Sequence, residues 1–125
     1  MASLIGFDFV VGSSVDFQNG LATHTSIQSA INAATLGQSI FVRAGTYTED
    51  ITISSTVFLC GVGYNSYISG TLTITGAAAR IRDLRINGNI TLTAPSSNNL
   101  VDGYQTSSST VTDSGTANLY IIQGT

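Results

Sequence analysis

Seven acidic and four basic side chains are all that this chain of 125 residues offers for ion binding, and they set the limits of its chemistry. The acids are Asp8, Asp16, Glu49, Asp50, Asp83, Asp102 and Asp113; the bases are Arg43, Arg80, Arg82 and Arg85, with no lysine. Glu49-Asp50 is the only adjacent acid pair. Neighbouring residues of a strand point to opposite faces, so it makes a poor general acid–base dyad and reads as a solvated turn. Arg80, Arg82, Asp83 and Arg85 form the densest charged group. They can contact a glycan or a phosphate, or they can form a local salt-bridge cluster or pair across a subunit interface. The structural readings are favoured, because arginine is enriched at interfaces. His24 and Cys60 are each the sole residue of their type. A metal or haem site therefore lacks partners, and no disulfide can form within the chain. Cys60, in the run Val57-Phe58-Leu59-Cys60, reads as a small buried hydrophobe. No catalytic, cofactor-binding or metal-binding residue is assigned, and no cofactor is expected.

The composition narrows the class. Hydrophobic residues make up 42% and charged ones only 9%, so the chain has enough apolar material for one core and a neutral polar surface. A net charge of −3 argues against a nucleic-acid partner. Such surfaces suit long-lived assemblies better than charge-steered encounters. Met1 to Val11 is apolar but lacks a positive flank and is broken by Asp8, so neither a signal peptide nor a membrane span is expected. The initial Met reads as the start of a small complete gene product.

The elements that must position these residues are repetitive. Ile51-Thr52-Ile53, Thr71-Leu72-Thr73-Ile74, Asn89-Ile90-Thr91-Leu92 and Thr110-Val111-Thr112 follow one another with steps of 21, 18 and 21 residues between Ile51, Leu72, Ile90 and Val111. One strand pattern per period of about 20 marks a stacked, quasi-one-dimensional fold. Stacking puts those four residues in one aliphatic ladder, with Ile53, Ile74, Leu92 and Asp113 in the next. A carboxylate there is a departure: either the last strand ends after Thr112 or the final coil shifts register. A second apolar strand follows in each later period, and most close at Gly61, Gly88, Gly103 or Gly124, read as positive-φ corners. At about 4.8 Å per strand, four coils stand only ~20 Å tall.

Two segments precede the stack. Residues 1–22 form an extended piece, with Phe7, Phe9 and Val11 alternating with Asp8 and Val10; it either packs on the stack or projects as an arm. A helix is predicted over Ser26 to Leu36. It has a Thr25/Gln28 capping box, an apolar stripe of Ile27, Ala30, Ile31 and Ala34, and Gly37 as its stop. Residues 23–125 make up the main domain, with this helix covering its open end.

The run Ser26-Ile27-Gln28-Ser29-Ala30-Ile31-Asn32-Ala33-Ala34, followed by Ile40-Phe41-Val42-Arg43-Ala44-Gly45-Thr46-Tyr47-Thr48-Glu49 and Ile51-Thr52-Ile53, resembles the opening of the pectin-lyase-like right-handed parallel β-helix superfamily. Ala44 stands where proline is frequent in that family. The resemblance implies an all-β fold, a short right-handed parallel β-helix of about four coils with an N-terminal capping helix. The superfamily spans pectate lyases, esterases, phage tailspikes and small virion proteins, so the fold leaves function open. Lyases of this kind use acidic calcium ligands with a basic proton acceptor, and esterases an Asp pair with Gln and Arg; neither set is matched here.

The expectation drawn from all this is a non-enzymatic structural protein of the virion surface. It is a capsid decoration (cement) protein or a short tail-spike module, assembled as a homotrimer and contacting major capsid or tail proteins. The trimer is partly carried over from phage spikes. Its physical motive is the neutral surface and a C-terminal run, Leu119 to Thr125, with no helix to cap it. Thr106-Ser107-Ser108-Ser109-Thr110 reads as a polar outer face. The rival reading is a glycan-binding or polysaccharide-degrading module, although four coils offer little groove. A third is an ice-binding solenoid built on Thr46/Thr48, Thr71/Thr73, Thr91/Thr93 and Thr110/Thr112. The spacings of 25, 20 and 19 read as too uneven for a lattice.

Overall fold

The computed structural model describes residues 6–106 and 109–124. Met1 to Ile5, the tip of the apolar N-terminal run, and Ser107-Ser108 of the polar outer face lie outside the described residues, as does Thr125. The elements in order are β1 (Phe9–Val11), α1 (Ser14–Gln18), α2 (Ile27–Ala33), β2 (Ser39–Val42), β3 (Gly45–Tyr47), β4 (Ile51–Ile53), β5 (Phe58–Cys60) and β6 (Ser66–Ile68). They continue with β7 (Leu72–Ile74), β8 (Arg80–Ile86), β9 (Ile90–Leu92), β10 (Leu100–Gln105), β11 (Val111–Asp113) and β12 (Leu119–Gly124). The chain is a parallel β-helix of about four turns, with its longer helix at the N-terminal end.

One sheet stacks β1-β2-β5-β8-β10-β12, with β3 and β6 continuing it beside β8; the other stacks β4-β7-β9-β11. Each strand pairs with its equivalent one turn on, which is why a period of about 20 appears in the sequence. The ladder Ile51–Leu72–Ile90–Val111 is formed in the expected register. Ile40, Leu59, Ile81 and Val101 make a second ladder on the opposite wall, and both meet in one buried core.

Asp113 corrects the expectation for the last coil. It belongs to β11 and pairs with Leu92, so the strand neither ends at Thr112 nor shifts register. The carboxylate is tolerated because its position is exposed, and it accepts hydrogen bonds from Gly115 N and Asn118 Nδ2 at 2.9 and 3.0 Å.

The glycines also act differently from the expectation. Positive φ falls on the non-glycine residues Ala78, Asp83, Asn98 and Ala117 and on Gly6, Gly20, Gly37, Gly45 and Gly63, but not on Gly61, Gly88 or Gly103. Gly61, Gly88 and Gly103 are needed because the neighbouring coil's backbone, at Asp83, Gly70 and Leu84, occupies the space a Cβ would take. They permit close stacking.

At the N-terminal end the extended segment packs rather than projects. β1 pairs with β2, and its other edge is taken by Thr23 and His24, whose amides both donate to Val10 O. Between them lies α1, a short helix within the segment expected to be extended. A reciprocal capping box of Ser13 and Asp16 starts it, each backbone amide donating to the other's side chain at 3.1 Å. None of its residues is buried, so no apolar stripe marks it in the sequence. The second helix, α2, ends at Ala33, short of Leu36, and its N-cap is Ser26 rather than Thr25. Ala34 is already extended and caps the C-terminus, leaving Gly37 in the following turn. Ile27, Ala30 and Ile31 are buried against the first coil.

Candidate functional site

The two acids singled out as a pair have separate structural duties. Glu49 sits just before β4 and reaches back to the start of α2, where its oxygens accept from Ile27 N at 2.9 Å and from Gln28 N and Ser26 Oγ at 3.0 Å. It therefore satisfies helix N-terminal amides that the helix cannot satisfy itself, and a negative charge is favourable there. It is half-buried, not the solvated turn residue expected. Asp50 faces the other way and accepts from Thr71 N and Thr71 Oγ1 at 3.0 and 3.2 Å, tying one coil to the next. Neither faces the other across a shared site.

Asp16 and Arg43 approach to 3.3 Å. The Ser13 amide, more than the arginine, holds the Asp16 carboxyl below its usual range. Above them the Tyr47 hydroxyl donates to Arg43 O at 2.8 Å, and burial pushes its phenol up to about 12. Cys60 is not a core residue: it is half-buried on the strand face opposite Leu59, which fills the core instead. Desolvation, with Asp83 adding, raises its thiol pKa and keeps it protonated. His24 Nδ1 lies 3.0 Å from Thr23 Oγ1, its ring edge-on to Phe9. Among the described residues no three His, Cys, Asp or Glu side chains gather into a metal-holding group.

The threonines behave in a way that uneven sequence spacing concealed. Thr52, Thr73, Thr91 and Thr112 pair in register, giving one straight outward rank across the four-stranded sheet. Unequal loop lengths are absorbed in the turns, so the spacing in sequence is no measure of regularity in space. On one side Asp50 and Asn89 interrupt the neighbouring rank, while on the other Ser54, Thr75, Thr93 and Ser114 continue the hydroxyl pattern in the same register.

The charged group on β8 is the most unusual surface of the molecule. The four residues form no salt-bridge cluster: Asp83 bulges out of the ladder with φ 57°, between Arg82 paired to Asp102 and Leu84 paired to Gly103. No arginine of the group has a carboxylate within 4 Å among the described residues. Arg80 donates to two backbone carbonyls, Ala79 O at 3.1 Å and Asn98 O at 2.9 Å. Arg85 is stacked between two rings, its Cζ 3.9 Å from the centroid of Tyr64 and 3.7 Å from that of Tyr67. Tyr104, from the next coil, meets Tyr64 edge-on at 5.7 Å. Past Tyr104 lies a depression of about 300 Å³ lined by Asp83, Asp102, Gly103 and Ile121 to Gln123. On the other side, Phe7, Phe58, Leu59, Cys60, Arg80 and Arg82 line an apolar cleft of about 240 Å³. Only the charged residues of this surface were readable in sequence. Tyr64 and Tyr67 come from one coil and Tyr104 from another; Tyr67 and Tyr104 are the in-register neighbours of Arg85, so the coil period could have found them, whereas Tyr64 lies in a turn outside that register.

The fold and this surface define a small parallel β-helix with a mixed apolar, aromatic and charged outer face. No protein-family model, curated protein or solved structure matches the chain. Among the described residues no helix is long and apolar enough to cross a membrane.

Proposed function

We propose that this chain is a structural building block that works by associating with copies of itself and with other proteins. In its most specific form the reading is a pectin-lyase-like virion component. It serves as a capsid decoration (cement) protein or short tail-spike module, assembled as a homotrimer on the particle and contacting capsid or tail proteins.

One observation carries it. The C-terminal coil leaves Leu119, Tyr120 and Ile121 at 57%, 41% and 56% exposure, on a strand with no partner beyond it among the described residues. An edge of six residues lacking proline, charge or bulge is a template for pairing, and adjoining apolar side chains add a favourable burial term. The charge-poor surface supports the same reading, since it presents little like-charge repulsion to another copy.

Sedimentation velocity over a wide concentration range tests it. Association with a mass of three chains is expected, and replacing Leu119 and Ile121 together with Thr weakens it. A wild-type chain that stays monomeric throughout overturns the reading.

A further inference from the structure

We infer that Arg85, held flat between Tyr64 and Tyr67, is the group by which one copy of this chain grips another, taking a carboxylate from the neighbour's Asp83–Asp102 depression. The inference rests on the self-association proposed above and names the face and residues that would make it.

Arg85 is built to bind and is left unfilled. Its Nε is buried with no hydrogen-bond partner, and its guanidinium makes no hydrogen bond or ion pair among the described residues. Its Cζ lies within 4 Å of the ring centroids of Tyr64 and Tyr67, and Tyr104 braces the first of those rings. Stacking of this kind removes the side-chain freedom that a surface arginine ordinarily loses on binding. What stays available is the terminal edge, where the two Nη groups lack a partner and are not buried, and their paired N–H groups match a carboxylate.

The chain's own acids do not fill it. Asp83 is only two residues away, but the bulge directs it elsewhere, and Asp102 lies in register with Arg82, one coil on. Both residues instead line the depression that Tyr104 also borders. One face therefore offers an unfilled cation beside unfilled anions, which makes it complementary in charge to a second copy of itself. Exposed Phe58, Leu119 and Ile121 on the same sheet supply apolar area around the charges. The same acids disfavour a polyanion such as an acidic polysaccharide, which would meet Asp83 and Asp102 beside the clamp.

Sedimentation velocity on the full chain tests the contact. Arg85→Ala is expected to weaken self-association about tenfold or more. Arg85→Asp and Asp102→Arg are each expected to fail alone, and the double variant carrying both is expected to recover association, because every interface of a ring then pairs the swapped charges. Recovery also shows that the double variant folds. Unchanged association of Arg85→Ala overturns the inference while leaving the self-association reading standing; a monomeric wild type overturns both. Binding of alginate by the wild type that Arg85→Ala abolishes also overturns it, in favour of a glycan site.

Discussion

The two ends of this solenoid are made from the same kinds of residue and are finished in opposite ways. At the N-terminal end, Thr23 and His24 occupy the edge of β1, α2 lays Ile27, Ala30 and Ile31 over the first coil, and Glu49 fastens the helix start. At the C-terminal end, β12 and β11 close their sheets with no described element over them. Tyr120 stands at the top of a ladder whose lower members, Leu59, Ile81 and Val101, are all buried. Position within a ladder, and not residue type, therefore decides burial. The capped end is covered by its own chain, whereas at the other end a strand edge and apolar side chains stay uncovered among the described residues.

The strongest way to break this comparison is to truncate the same ladder at two heights. Leu72 is fully buried between Ile51 and Ile90, so Leu72→Ala is expected to cost about 2–5 kcal/mol. Val111 has a coil on one side only and is half-buried; Val111→Ala is expected to cost below about 1 kcal/mol. Urea denaturation of both variants measures the difference, and equal losses would remove the distinction between interior and end.

A smaller effect is expected from unfastening the cap. Glu49→Ala removes the acceptor for two backbone amides and a hydroxyl, at a cost of about 2–3 kcal/mol. Hydrogen exchange is expected to accelerate at Ile27 and Gln28 while the amides of β8 and β9 stay protected. Acceleration spread evenly along the stack would show that the helix is not a separable cap.

The smallest effect is a pH dependence at the same end. Burial holds the His24 pKa below its ordinary value of 6.5, so the unfolded chain takes up a proton before the folded one does. The contribution is fully present above about pH 6.5 and is lost progressively as pH falls toward the lower folded value. Thermal melts between pH 7.5 and 5 check this, and His24→Asn is expected to flatten the profile in that window. An unchanged slope in the variant would assign the dependence to another group.

The parts of the molecule that the sequence made legible are those where side-chain type repeats along one element. The apolar stripe of α2 and the rungs Ile51, Leu72, Ile90 and Val111 repeat at the period of the coil, so their partners follow from counting. Features resting on a single long-range contact were not legible. Five-residue α1 buries nothing, and Glu49 caps a helix more than twenty residues upstream. The straight threonine rank was obscured because the turns absorb the irregular spacing.

Sequence alone therefore determined a parallel coil with aliphatic rungs and a helix before it, because each coil repeats one local pattern and stacking enforces the rest. Only the tertiary structure decided which rungs stay uncovered, which glycines serve close packing, and that Tyr64, from a turn, joins Tyr67 around Arg85. Tyr67, Arg85 and Tyr104 are rungs of one ladder at the coil period, but the chain carries no repeat of residue type there to mark them, and Tyr64 meets them only in space.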